Sequence, residues 1–226
     1  EIKECDWSSD VCSSDLQMAV REAGLTMKDI DGVCTASVSS SMWGLAVPEY
    51  LGLNARFIDS TMIGGSSFVA HLLPAMLALE SGLCNSVLVC YGSTQRTATF
   101  GRKEINASRK FLDPMPFEHP YEPMMPASAY ALAASRHMHQ YGTTREQLAE
   151  VAVAARAWAQ LNPEAFSRDP LTVQEVLDSR MVSDPLSVRD CCLVTDGGGA
   201  YVLVRADRAR HLKQKPVYVL GSTTAT

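Results

Sequence analysis

The chain has no C-x-x-C pair and no histidine pair at finger spacing, so its seven cysteines match no common zinc pattern. It also has no apolar run near the roughly 18–20 residues that span a bilayer. Its opening Glu1-Ile2-Lys3-Glu4 lacks both the basic start and the apolar stretch of a secretory signal. These absences read as a cytoplasmic chain with no membrane partner. Basic clusters are missing as well: 20 Lys and Arg are scattered among 25 Asp and Glu, for a net charge of −5. A nucleic-acid face needs a basic stripe to neutralise phosphates, so nucleic acid is not an expected partner. What is present is ordinary for a globular protein. The 46% hydrophobic and 20% charged content over 226 residues supports a sizeable core and one domain or one and a half. Cys34, Cys84, Cys90 and the vicinal Cys191 and Cys192 lie in or beside apolar stretches and read as buried free thiols.

Residues 1–16 do not match the rest of the chain. Ser8-Ser9-Asp10-Val11-Cys12 is nearly repeated by Cys12-Ser13-Ser14-Asp15-Leu16, without helical or strand period, which reads as a foreign or disordered leader. From Gln17 the register is clean. Residues 17–23 form the tail of an amphipathic helix closed by Gly24, Thr26 to Asp29 offer a local cap, and a short strand follows through Val33. Phe57-Ile58-Asp59 is a second short strand. Ile63-Gly64-Gly65-Ser66-Ser67 then turns into an apolar helix over 68–82, with Leu72, Met76 and Leu79 at helical spacing. Pro74 removes one intrahelical hydrogen bond, which predicts a kink there or a later true start. Residues 87–91 are a continuous apolar run between Asn85 and Gly92, the pattern of a strand buried on both faces. Strand, glycine turn, helix and strand make a β-α-β unit, so the fold class is α/β.

Residues 94–126 are rich in Pro, Met, Asn and Arg and lack periodicity. Two helices follow, over 127–141 and 144–161, separated by Gly142. The second is expected to carry a capping box of Thr143 and Glu146 and an apolar face of Leu148, Val151, Ala152, Ala155 and Trp158. A shorter helix follows the Thr172 to Glu175 cap. Asp196-Gly197-Gly198-Gly199 opens into a strand over 200–204, and residues 217–220 are expected to start another.

Taken in order, these blocks resemble the first half of the thiolase superfamily, in its sterol-carrier-protein or lipid-transfer branch. Ala19 through Gly32 resembles the family's opening helix and turn, and Gly64 through Gly92 its nucleophile turn, active-site helix and following strand. Tyr130 through Ala149 is similar to the helices of its loop domain. Asn162-Pro163, Ser183-Asp184-Pro185-Leu186 and Asp190 through Ala200 continue the match. The resemblance implies the N-terminal half of a thiolase fold: layered α/β, a mixed sheet around a core helix, and an inserted helical loop domain. On that reading residues 17–93 and 186–226 form the α/β domain and 94–185 the insertion. The C-terminal thiolase domain is absent.

Thiolases accept the acyl group on a cysteine at the start of the active-site helix, where the helix end lowers the thiolate pKa. Spacing back from Gly82 puts that position at Gly65, followed by Ser66 and Ser67, and no cysteine is there. A serine would need an adjacent base to attack. The family's histidine and second cysteine belong to the other half, so a conventional Claisen condensation is not expected. Members that lack the cysteine include retro-aldolases that cleave a β-hydroxyacyl-CoA side chain, often with a small OB-fold, zinc-ribbon partner. The resemblance therefore implies an acetyl-CoA acetyltransferase-like or carbon–carbon-cleaving protein acting on a coenzyme A thioester. It implies no separate cofactor, and a homodimer formed through residues 57–62. The missing cysteine fits equally a non-catalytic acyl-CoA-binding or scaffolding subunit, or an inactive gene fragment.

Each candidate site residue also has a plainer reading. The turn at Gly64, Gly65, Ser66 and Ser67 is either an oxyanion or acyl-thioester pocket or a tight turn with a serine cap. His71 either lines that pocket or is a satisfied core histidine. Met124 and Met125 fall where thiolases cover the acyl group, and either line an acyl or CoA channel or pack ordinarily. Arg96, Arg102, Lys103, Arg109 and Lys110 either attract CoA phosphates or decorate a solvated loop. His137 and His139 stand two apart on a helix and face different sides, which does not make a metal site.

Overall fold

Two strands buried on both faces carry the structure. β1 (Gly32–Thr35) and β3 (Ser86–Ser93) are the apolar runs Val33-Cys34 and Val87-Leu88-Val89-Cys90, and each of these six side chains is at most 1% exposed. In this computed structural model, residues 10–37, 42–93, 96 and 116–224 are described, with side chains described from Leu16 onward. The chain divides into two compact units, one made of residues 1–107 and 195–226, the other of 108–194.

In the first unit a sheet runs in the order β2 (Phe57–Asp59), β1, β3, β6 (Gly197–Val204). β1 pairs parallel with both β2 and β3, and β6 closes the far edge antiparallel to β3. Alternation sorts the strand side chains onto two faces. Val33, Leu88 and Cys90 join Leu16 and Val20 of α1 (Asp10–Glu22) and Val47 of α2 (Trp43–Tyr50). Cys34, Val87 and Val89 join Ala75, Ala78 and Leu79 of α4 (Leu72–Glu80). Helices thus cover both faces of a mainly parallel sheet, the arrangement of an α/β unit.

Two sequence expectations change here and one is met. The helix whose tail is expected over 17–23 runs back to Asp10, into the stretch expected to be a leader, and Leu16 is fully buried in the core beside Val20. Burial of such a side chain stabilises by about 1.5–3 kcal/mol, which explains why the helix runs back through a stretch of small polar residues. The helix expected over 68–82 has the later true start that Pro74 implies: α3 (Ser67–Ala70) and α4 are separated at His71. Pro74 then falls in the first turn of α4, where a missing N–H costs little. Residues 217–220 form no strand, and Val217 and Leu220 are 94% and 98% exposed. A strand needs a hydrogen-bonded ladder, and residues 217–220 pair with none of the described strands.

Asp31 joins the starts of β1 and β3. Its carboxylate accepts the backbone N–H groups of Asn85 at 2.7 Å and Ser86 at 2.9 Å, and the Asn85 side-chain amide at 2.9 Å.

The second unit holds α5 (Ala127–Tyr141), α6 (Arg145–Leu161), α7 (Val173–Leu177) and a hairpin of β4 (Met181–Ser183) with β5 (Leu186–Ser187). The α6 cap is Thr144 with Gln147, one residue beyond the expected Thr143 and Glu146. Two adjacent threonines offer the same chemistry, and the Thr143 hydroxyl is engaged elsewhere, 3.0 Å from His137 Nδ1. Ala149 is the buried point of α6, while Val151 and Trp158 of the expected apolar face are 69% and 76% exposed. Arg145 pairs with Asp190 at 2.9 Å, and Asp190 also accepts the Ser187 hydroxyl, so residues just beyond Leu186 belong to this unit.

Candidate functional site

The glycine turn sits between β2 and α3, and it is built from the strand outward. At the end of β2, Asp59 Oδ1 accepts the Thr61 N–H at 2.9 Å and the Thr61 hydroxyl at 2.8 Å. The chain then reverses at Gly64, whose φ of +87° is the left-handed region that glycine enters without cost. Ser67 closes the turn. Its backbone N–H donates to the Gly64 carbonyl at 3.1 Å. Its hydroxyl donates to the same carbonyl at 2.6 Å and accepts the Ile63 N–H at 2.9 Å.

This geometry separates the candidate residues. Ser67 is fully buried, with its hydroxyl committed as both donor and acceptor, so it is a structural clamp and not a free nucleophile. Gly65 and Ser66 face outward. Among the described residues, their backbone N–H groups donate to no protein acceptor and the Ser66 hydroxyl contacts no base. A Cβ added at Gly65 would meet nothing within 4 Å, so the absence of a side chain there is not imposed by crowding. The turn can therefore present two backbone donors to an oxyanion or thioester oxygen. It presents no activated nucleophile.

His71 is fully buried, and its Nε2 lies 3.0 Å from the Thr61 carbonyl. It does not reach the open surface of the turn, so the expectation that it lines a substrate pocket becomes an indirect role beneath it. Two aromatic groups that the sequence did not flag support the same segment. Tyr91 packs its ring on Phe68 with centroids 4.7 Å apart, and the Tyr201 hydroxyl donates to the Phe68 carbonyl. Tyr201 is pushed up to about 12 by burial, with Cys34 nearby adding to it, so it remains a proton donor. Only the alternation of β6 hinted at Tyr201, since the bond joins residues far apart in the chain.

Of the five described cysteines Cys34, Cys84 and Cys90 are buried, as expected, whereas Cys191 is half-buried and Cys192 exposed, against the expectation of buried thiols. Burial pushes Cys34 up to about 12, with Asp59 adding to it, and burial alone takes Cys90 to about 12. Burial also raises Cys84 and Cys191. Thiols buried as Cys34 and Cys90 are stay protonated and inert.

Met124 and Met125 stand in the second unit, just ahead of α5. Met124 is 55% exposed with its N–H on the Ser128 hydroxyl at 2.9 Å, and Met125 is half-buried. Among the basic candidates, the Arg96 backbone N–H donates to Asp196 at 2.8 Å. Arg102, Lys103, Arg109 and Lys110 lie outside the described residues. His137 caps locally through Thr143 at 3.0 Å, and no cluster of metal-binding side chains occurs among the described residues. Among them, too, no helix is long and apolar enough to cross a membrane.

A broken core helix entered through a glycine turn, on a mixed sheet with a helical insertion, defines a thiolase fold. Solved structures agree. The chain superposes on the Ltp2-ChsH2(DUF35) aldolase with a TM-score of 0.73 and 28% identity, covering 91% of this chain and 53% of that one. It superposes on human mitochondrial 3-ketoacyl-CoA thiolase with a TM-score of 0.63 at 15% identity, which speaks to fold alone; this covers 89% of the chain and 60% of that one. No family model matches the chain. Among curated proteins, 17-hydroxy-3-oxo-4-pregnene-20-carboxyl-CoA lyase of Mycobacterium tuberculosis is 32% identical, over 96% of this chain and 60% of that protein. A steroid side-chain-cleaving aldolase of Thermomonospora curvata is 30% identical, over 98% and 60%. An acetyl-CoA acetyltransferase of Methanothermobacter thermautotrophicus is 32% identical, over 92% and 55%. The chain's relatives and structural neighbours are thus thiolases and sterol-carrier-protein-type thiolase-like proteins, and it shares the thiolase fold. It spans 60% of the length of the first two of these relatives.

Proposed function

We propose that the protein works on coenzyme A thioesters as a carbon–carbon lyase of the retro-aldol type, without a covalent acyl-enzyme. The observation that carries this reading is the outward-facing pair Gly65 and Ser66: each brings one backbone N–H without a protein acceptor among the described residues, and no activated nucleophile stands beside them there. The names of two relatives, a carboxyl-CoA lyase and a side-chain-cleaving aldolase, support it. In such a reaction a base takes the proton of a β-hydroxyl group and the carbonyl forms as the Cα–Cβ bond breaks. The electron pair passes into the thioester enolate, which is then protonated at Cα. Backbone donors at Gly65 and Ser66 would stabilise the enolate oxygen. The base is not among the residues of the turn.

The same reading extends to assembly. β2 is an edge of the sheet, and residues 57–62 are the proposed homodimer contact. Likeness to the Ltp2-ChsH2(DUF35) aldolase supports a small DUF35-type protein as partner. Met124 and Met125 are proposed to line the acyl or CoA channel.

The test is incubation of the protein with a polycyclic β-hydroxyacyl-CoA, following release of the ketone and the shortened CoA ester. Cleavage with an unmodified protein mass is the expected result. Thioester binding without turnover would instead support a binding subunit. A stable acyl adduct on Ser66 would sink the lyase reading.

A further inference from the structure

We propose that His71 is the positioning residue of the turn: its Nε2–H holds the Thr61 carbonyl and so sets where the Gly65 and Ser66 donors point. Its functional part rests on the thioester-binding reading above; its structural part rests on geometry alone. A carbonyl oxygen only accepts, so at 3.0 Å from Thr61 the proton must sit on Nε2. Nδ1 is then a bare acceptor, buried without a partner among the described residues. A leucine or phenylalanine would fill this interior position without burying an unmet acceptor. The imidazole is therefore a poor choice for packing, and the bond to Thr61 is what distinguishes it from an apolar side chain.

That bond acts where the turn is entered. Thr61 is gripped from the strand side by Asp59, through both its N–H and its hydroxyl. From the helix side it is gripped by His71, while Ser67 ties down Ile63 and Gly64. The histidine is itself keyed to the turn, because its backbone N–H donates to the Ser67 carbonyl at 2.8 Å. The Phe68 ring stands edge-on to the imidazole, centroids 6.0 Å apart, and restricts its rotation. Residues 61–64 are thus held at both ends, which leaves Gly65 and Ser66 as the segment that faces outward.

The first measurement is a long-range ¹H–¹⁵N spectrum of the ¹⁵N-histidine-labelled protein at neutral pH. A His71 ring in the Nε2–H form with a slowly exchanging proton is expected; the Nδ1–H form or a rapidly exchanging proton overturns the proposal. The second compares His71→Gln, whose amide nitrogen reaches the place of Nε2, with His71→Leu, which has no donor. The amide signals of Gly64, Gly65 and Ser66 should move in His71→Leu and be retained in His71→Gln, with those of Leu88 and Val202 unchanged in both. Equal movement in both variants, or none in either, overturns it. If His71→Leu does not fold, the wild-type ring spectrum and the His71→Gln amides decide. In the cleavage assay, His71→Leu should lower kcat at least about tenfold with KM held within about threefold, and His71→Gln should restore it. A wild-type protein that does not turn over defeats the lyase reading and leaves the ring and amide results to decide the positioning role.

Discussion

Gly65, the position proposed to stand where a nucleophilic thiolase carries its cysteine, is not kept free of a side chain by lack of space. Its added Cβ would enter open solvent, and its backbone is not in the left-handed region. Gly65→Cys should therefore fold with a stability change within about 0.5 kcal/mol, as expected for a surface position, checked by thermal unfolding. The new thiol should also alkylate readily at pH 8, adding one labelled site by mass spectrometry. Cys34 and Cys90, both held near 12 by burial, should stay unlabelled in the folded protein. Labelling of Cys34 or Cys90 at the rate of the new thiol would show that the sheet interior opens readily. Ser67 illustrates the opposite case. It is a serine beside the expected nucleophile position, yet both of its hydrogen-bonding capacities are spent within the turn.

Among the elements, the joint between β1 and β3 depends on one carboxylate. Burial pushes Asp31 up, but the bonds from Asn85 and Ser86 outweigh it and hold the group below its ordinary value of 3.8. A depressed folded-state value means the stabilisation is complete above the unfolded-state pKa and is lost as pH falls through the folded-state one. Asp31→Asn should cost about 1.5–3 kcal/mol at pH 7, the range for hydrogen bonds to a charged group. The difference from wild type should narrow as the pH falls below the ordinary value of 3.8, as measured by urea unfolding at pH 7 and at acid pH. An equal difference at both pH values would count against a charge-dependent joint.

Elements were legible from sequence where one periodicity acted alone. β2 and α5 have the boundaries that alternation and the Gly142 stop imply. Legibility failed where tertiary contacts decided. The polar run ahead of Leu16 has no helical signal of its own, and residues 217–220 have strand composition but no ladder. At the site, the glycine turn was visible as a motif, whereas the inward use of Ser67 and His71 depends on bonds to Ile63, Gly64 and Thr61 that no spacing rule announces.

At the scale of the molecule, the outer face of the broken core helix is conspicuous. Val69, Leu73 and Leu77 recur at helical spacing and are 64%, 40% and 58% exposed. A contiguous apolar stripe on a solvent-facing helix is a surface that associates or binds dye. The chain should bind a fluorescent apolar probe, and Leu73→Glu combined with Leu77→Glu should reduce that signal while leaving the unfolding midpoint within a few degrees. Undiminished fluorescence would place the sticky surface elsewhere.

The pairing of β3 with β6 has a bearing on synthesis. Ser93 lies opposite Gly197, so the outer side of β3 has no ladder partner until roughly a hundred further residues have been made, about 5 to 20 seconds of translation. Through that interval the nascent chain carries an apolar strand with one open edge, a template for wrong pairing. The helical insertion thus sets a delay as well as a shape: its length fixes how long the emerging sheet must stay protected before its last strand arrives.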